Sequence, residues 1–209
     1  MRNKAINKLA QEVLTPDDVL QDLLQGNERF VNNKLAEVAH LELVKETITG
    51  QYPKAVILSC IDSRVPVEQV FDQAIGDVFV ARVAGNFENT DILGSIEYAC
   101  AVAGSKLIFV LGHESCGAVK AACDGVELGN ITSMLANIIP AVKKSSTEVE
   151  GEANSSNKEF VAKTVENNVL LTIQRIQERS NLLSEMIDGG EVKIVGGVYS
   201  LSSGKVNLV

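Results

Sequence analysis

The chain has 209 residues, enough to bury one sizeable core, and its 45% hydrophobic and 22% charged content is that of an ordinary globular protein. A formal net charge of -8, with no local basic patch to offset it, argues against nucleic acid or an anionic membrane surface as a partner. No run of about 18 apolar residues is present, and residues 1–10 carry Arg2, Lys4 and Lys8 with no apolar stretch behind them, so neither a membrane span nor a signal peptide is expected.

Residues 16–33 read as a helix. Thr15 can cap it, Pro16 suits its first turn, and Val19, Leu20, Leu23 and Leu24 recur at helical spacing. Gly26 and Asn27 interrupt the pattern before Phe30 and Val31 resume the apolar face. Three short apolar runs follow, over residues 55–58, 78–80 and 107–111, and each reads as a strand. Helical signals lie between and after them, over residues 66–73, 92–103 and 117–123. Strands alternating with helices imply a mostly parallel central sheet covered on both faces. A helix is expected over residues 132–144 despite Pro140, then a surface loop over residues 145–157, rich in Ser, Glu, Gly and Asn. Phe160, Val161, Val165, Val169, Leu170, Ile173 and Ile176 predict one long helix, in a region that ends at Gly189 and Gly190. Residues 192–199 and 206–209 read as two strands with a turn at residues 202–204, a C-terminal β-hairpin. The expected fold is α/β, in one domain over residues 1–209. A helical arm would occupy residues 1–50 and the α/β core residues 51–209.

Two clusters carry the chemistry. Cys60-Ile61-Asp62-Ser63-Arg64 follows the first core strand, and Gly112-His113-Glu114-Ser115-Cys116-Gly117 follows a later one. In an open parallel sheet, catalytic groups gather beyond the carboxyl ends of the strands, so the two clusters can face each other there. Two thiolates and one imidazole suit zinc with an open fourth position, which is a catalytic arrangement. Residues of these types at these distances also suit core positions, and spacing alone leaves both readings open. Four cysteines in a chain of this length do not make a disulfide scaffold. Cys100 and Cys123 read as small buried hydrophobes, and a cytoplasmic location is the expectation. His40, in a polar stretch, reads as a solvated surface residue.

The two clusters together resemble the signature pair of the β-class carbonic anhydrases. Gly26-Asn27-x-Arg29-Phe30 resembles that family's N-terminal helix motif. Gly76-Asp77-x-Phe79-Val80-x-Arg82-x-Ala84-x-Asn86 and Ser95-Ile96-Glu97-Tyr98-Ala99 resemble the segments flanking the metal motifs. The likeness runs from about Leu20 to Leu128, with a weaker echo at Gly197-Val198-Tyr199.

The resemblance implies one zinc ion per subunit on Cys60, His113 and Cys116. It also implies reversible hydration of CO₂ to bicarbonate and a proton, by attack of zinc-bound hydroxide. Asp62 would orient the hydroxide and Arg64 would hold Asp62 by a charge-assisted pair. The Gly117 amide would contact a substrate oxygen. Gln51, Phe79 and Tyr98 match positions that line the pocket of the plant-like subclass, which is favoured here. The other subclass binds bicarbonate allosterically through a Trp, an Arg and a Tyr. Arg82 and Tyr199 match two of these, but Ile57 stands at the Trp position. A homodimer or homotetramer is implied, with clefts at the subunit interface, so Gln51, Phe79 or Tyr98 can serve a neighbour's site. Two rivals are a CS₂ or COS hydrolase on the same zinc framework and a non-catalytic zinc or redox-sensing domain.

Overall fold

The computed structural model describes residues 2–209. Its elements in chain order are α1 (Lys8–Glu12), α2 (Pro16–Val31), α3 (His40–Glu46), β1 (Ala55–Ser59), α4 (Val67–Val70), β2 (Val78–Arg82), α5 (Thr90–Glu97), a π-helical stretch (Tyr98–Val102) and β3 (Leu107–His113). Then come α6 (Gly117–Cys123), α7 (Gly129–Leu135), α8 (Ile139–Ser145), α9 (Lys158–Arg179), α10 (Asn181–Asp188), β4 (Lys193–Tyr199) and β5 (Val206–Leu208). Among the described residues no helix is long and apolar enough to cross a membrane.

The strands form one sheet in the order β2-β1-β3-β4-β5. β1 to β4 run parallel and β5 closes antiparallel on β4, so the expected mostly parallel sheet and terminal hairpin are both present. β1 and β3 are buried at every position, which is why their sequences read as unbroken apolar runs. On one face, Val19, Leu20 and Leu23 of α2 pack with Phe71 and Phe109. On the other, Val169 and Ile176 of α9 pack with Val56, Leu58 and Val110. Two glycines let α9 settle this close. A Cβ on Gly112 would stand 2.7 Å from Val169 Cγ2, and one on Gly196 would stand 2.5 Å from Val169 Cγ1.

Thr15 caps α2 as expected, and Asp18 returns a bond to the Thr15 amide, closing a capping box. Gly26 and Asn27 do not interrupt this helix. Gly26 faces the Phe71 carbonyl so closely that a Cβ would overlap its oxygen, so the glycine serves close approach rather than a break. Asn27 donates to the carbonyls of Val70 and Gly204 and accepts from the Val206 amide, tying α2 to α4 and to the hairpin.

Three helix expectations need correction. Residues 66–73 give only the short α4. Residues 92–103 leave α-helical geometry at Tyr98. Residues 132–144 are two helices, because Pro140 favours the first turn of a new helix over the middle of an old one. The expected long helix is present as α9, which holds Phe160 to Ile176 and stops at Arg179, where Ser180 turns extended and its hydroxyl caps α10 through the Leu183 amide.

Candidate metal centre

β1 and β3 are neighbours, with Ser59 opposite Leu111. Cys60 lies one residue beyond the first of these and His113 two beyond the second, so both emerge at the carboxyl edge of the sheet. Glu114 and Ser115 then turn the chain sharply, Ser115 taking a left-handed φ of 52°. That turn returns Cys116 to the same spot, where it starts α6 as its N-cap residue. The three ligand atoms lie within 4.8 Å of one another, and all three residues are buried. Sequence reasoning named these residues, and the fold brings them together.

The donor set fits zinc. Two thiolates bound at about 2.3 Å to one tetrahedral ion stand about 3.8 Å apart. Cys60 Sγ and Cys116 Sγ are 3.9 Å apart, and both cysteines are free. His113 Nδ1 lies 2.9 Å from the Glu114 carbonyl, which fixes the proton on that nitrogen and leaves the Nε2 lone pair to the cluster. Nε2 is buried and has no hydrogen-bond partner, which is costly unless a metal takes it. The thiol of Cys60 is held low, chiefly by the hydrogen bond from Cys116 and against the opposing effect of burial, with the Gly85 amide adding. Cys116 is pushed up by the same sulfur contact and by burial.

Asp62 sits beside this cluster. Its Oδ1 accepts from the Arg64 amide and Nε, both at 2.9 Å, and its Oδ2 accepts from Arg64 Nη2 at 2.7 Å. These bonds hold the carboxyl well below the usual carboxylate range. Oδ2 also stands 3.8 Å from His113 Nε2, facing the cluster.

Three contacts around the cluster were not anticipated. Arg82 donates to the carbonyls of Cys60 and Asp62, at 2.8 and 2.7 Å, clamping the loop that carries both. The Gly85 amide donates to Cys60 Sγ at 3.3 Å. Glu114 accepts from the Leu201 amide, pinning the second metal loop to the chain beyond β4. The Arg82 and Glu114 side chains are visible as residue types, but the Gly85 amide and the carbonyls that Arg82 holds are backbone groups, which leave no trace in residue type. Arg82 is committed to this clamp, and Tyr199 is buried against Phe30.

Gly117 opens α6 directly after Cys116. A Cβ there would meet nothing within 4 Å, so packing does not require the glycine and the space beside it is open. Gln51, Phe79 and Tyr98 lie elsewhere. They line a cleft of about 590 Å³ whose walls include none of Cys60, His113 and Cys116. Phe79 and Tyr98 meet edge to face, 6.3 Å between centroids. Gln51 precedes β1 and Cys60 follows it, so a five-residue strand of about 16 Å separates them. Within one chain these residues do not meet the metal cluster.

Residues 55–206 match the family described as carbonic anhydrase. The chain is 38% identical over 188 residues to carbonic anhydrase 2 of Mycobacterium tuberculosis, covering 89% of each. A tetrameric β-carbonic anhydrase from Sordaria macrospora superposes with a TM-score of 0.72 at 26% identity, over 92% of this chain and 97% of that one. The Coccomyxa β-carbonic anhydrase, solved with acetazolamide, gives a TM-score of 0.71 at 25% identity, over 91% and 86%.

Proposed function

This chain belongs to the β-class carbonic anhydrases and is a carbonic anhydrase, and from that premise we propose how its own residues hydrate CO₂ reversibly to bicarbonate and a proton. The observation that carries the reading is the buried Cys60, His113 and Cys116 cluster with the Asp62–Arg64 pair beside it. A purely structural metal clasp has no use for that pair.

Cys60, His113 and Cys116 would hold one zinc ion per subunit, and zinc, when bound, supplies the acidity that makes a water nucleophilic near neutral pH. Asp62 Oδ2 accepts the hydrogen bond of that nucleophile and turns a lone pair toward the carbon of CO₂. Arg64 fixes the carboxylate so that it stays ionised and does not rotate away. The Gly117 amide, with open space beside it, donates to a substrate oxygen. Gln51, Phe79 and Tyr98 complete the pocket of a neighbouring subunit, as in the plant-like subclass, because their own cluster lies too far away. That division of labour calls for a homodimer or homotetramer, which the tetrameric Sordaria relative supports. Four free thiols support a reducing, cytoplasmic setting.

Stopped-flow CO₂ hydration at pH 7 and pH 9 tests the reading, with zinc-loaded wild type and Asp62→Asn in parallel. Rapid hydration by the wild type, cut about 10²-fold or more in the variant, is the expected result. No hydration at either pH with zinc bound would overturn it, and turnover of COS or CS₂ in the same preparation would identify the sulfur-substrate hydrolase instead.

A further inference from the structure

The metal ligands are held from below by bonds that reach into α9. Gly85, in the loop after β2, donates its amide to Cys60 Sγ at 3.3 Å. Its carbonyl accepts from Asn168 Nδ2 at 2.7 Å, and Asn168 is 1% exposed. Gly85 has a φ of +84°, a region open to glycine and strained for other residues. A Cβ there would stand 2.5 Å from Ile138 Cδ1, so any side chain would add a shift of Ile138 to the strain of the backbone. The residue that aims an N–H at the sulfur is therefore also the one with the freest backbone, and something must hold its plane.

One turn bond, from the Asn86 amide to the Val83 carbonyl, restrains the loop locally. The long-range restraint comes from α9. Asn168 holds the Gly85 carbonyl, and Arg175 and Arg179, further along α9, hold the buried Glu88 at the far end of the same loop. Val169, next to Asn168, is locked against Gly112 and Gly196 of the sheet, so the helix that carries the restraint is itself fixed.

We infer that Asn168 is a positioning residue for the ligand Cys60, acting through Gly85. It holds the loop so that the Gly85 N–H stays on the Cys60 sulfur. An N–H bond draws charge off a thiolate, which makes it a weaker donor and leaves a metal on two thiolates more electrophilic. The inference rests on the reading of Cys60 as a metal ligand.

The test uses the full-length protein with cobalt(II) in place of zinc, read by the thiolate-to-cobalt charge-transfer band, together with the rate of zinc release to a chromophoric chelator. Asn168→Leu removes the amide. Asn167→Leu is the control: it deletes an equally buried amide one residue earlier, whose bonds run to Ser145 and Glu148 instead. Asn168→Leu is expected to move the band to lower energy and to release zinc several-fold more slowly, because the sulfur that loses its N–H bond regains charge and donates more strongly, with Asn167→Leu at wild-type values in both. If Asn168→Leu does not fold, Asn168→Ser, whose hydroxyl is too short to reach the Gly85 carbonyl, carries the same comparison. An unmoved band and release rate at position 168, or equal movement at 167, overturns the inference. A wild type with no thiolate–cobalt band overturns it together with the metal site. A wild type that shows the band but hydrates no CO₂, with the shift still seen in Asn168→Leu, defeats the proposed activity alone, and the positioning role stands.

Discussion

Arg64 bonds Asp62 three times across a gap of two residues, through its own amide, Nε and Nη2. Such a short loop with a bidentate guanidinium leaves the carboxylate almost no rotational freedom. Oδ2 is thereby held 3.8 Å from His113 Nε2 while Asp62 stays outside the cluster of Cys60, His113 and Cys116. Arg82 secures the same loop from beneath through the carbonyls of Cys60 and Asp62.

Arg64→Ala should therefore act through Asp62 and not through the metal. The expected loss in kcat/KM for CO₂ is about 10²-fold, the scale set by misplacing a reacting group by about an ångström. Zinc content by atomic absorption should match wild type. Full activity in this variant would show that Asp62 needs no partner.

The separation of Gln51 from Cys60 along β1 predicts complementation between subunits. Gln51→Ala and Asp62→Asn are each expected to be weak alone. In a mixed dimer, one site carries both changes and the other carries neither. Co-refolding the two variants in equal amounts should restore roughly a quarter of the wild-type rate if the dimer is two-fold symmetric with shared clefts. No gain over the separate variants would mean that Gln51 serves no neighbour.

Metal removal should expose a second property of the cluster. With Cys60 and Cys116 sulfurs 3.9 Å apart, a backbone adjustment of about 2 Å reaches disulfide distance. Chelated protein treated with a mild thiol oxidant should fall from four free thiols to two, counted by alkylation and mass spectrometry. Zinc-loaded protein should keep all four and melt at a higher temperature than the chelated form. Loss of Cys100 or Cys123 instead would contradict the geometry.

Cys100 should govern part of the alkaline limit of stability. Burial pushes its thiol up to about 12 from an ordinary value of 9.0. A raised folded value means that the neutral thiol stabilises the fold fully below pH 9, and that this contribution is lost as pH rises from there toward 12. By pH 10.5 the loss is about 2 kcal/mol. Urea midpoints at pH 8 and pH 10.5 should fall less for Cys100→Ala than for wild type. Equal losses in the two proteins would remove Cys100 from the account.

Much of the fold was legible because its signals are local. Thr15 and Pro16 announce the start of α2 whatever lies around them. The unbroken apolar runs of β1 and β3 report burial on both faces. Pro140 was misread because the same residue tolerates two placements, inside a kinked helix or at the start of a new one. Gly26 was misread because a glycine in a helix signals a break and a close contact equally well, and only the Phe71 carbonyl decides between them.

The site divides along the same line. The spacing of Cys60, Asp62 and Arg64, and of His113 and Cys116, was visible because each group lies within one turn of chain, where neighbouring residues cannot avoid one another. The donor types, the carboxylate and its arginine are therefore readable along the chain. Their convergence belongs to the tertiary structure, since it depends on β1 and β3 being paired neighbours. Tertiary structure alone sent Gln51, Phe79 and Tyr98 to the other end of the sheet and connected Asn168 to Cys60 through Gly85. These links join residues 25 and 83 positions apart through backbone atoms, and every residue type carries the same backbone amide and carbonyl.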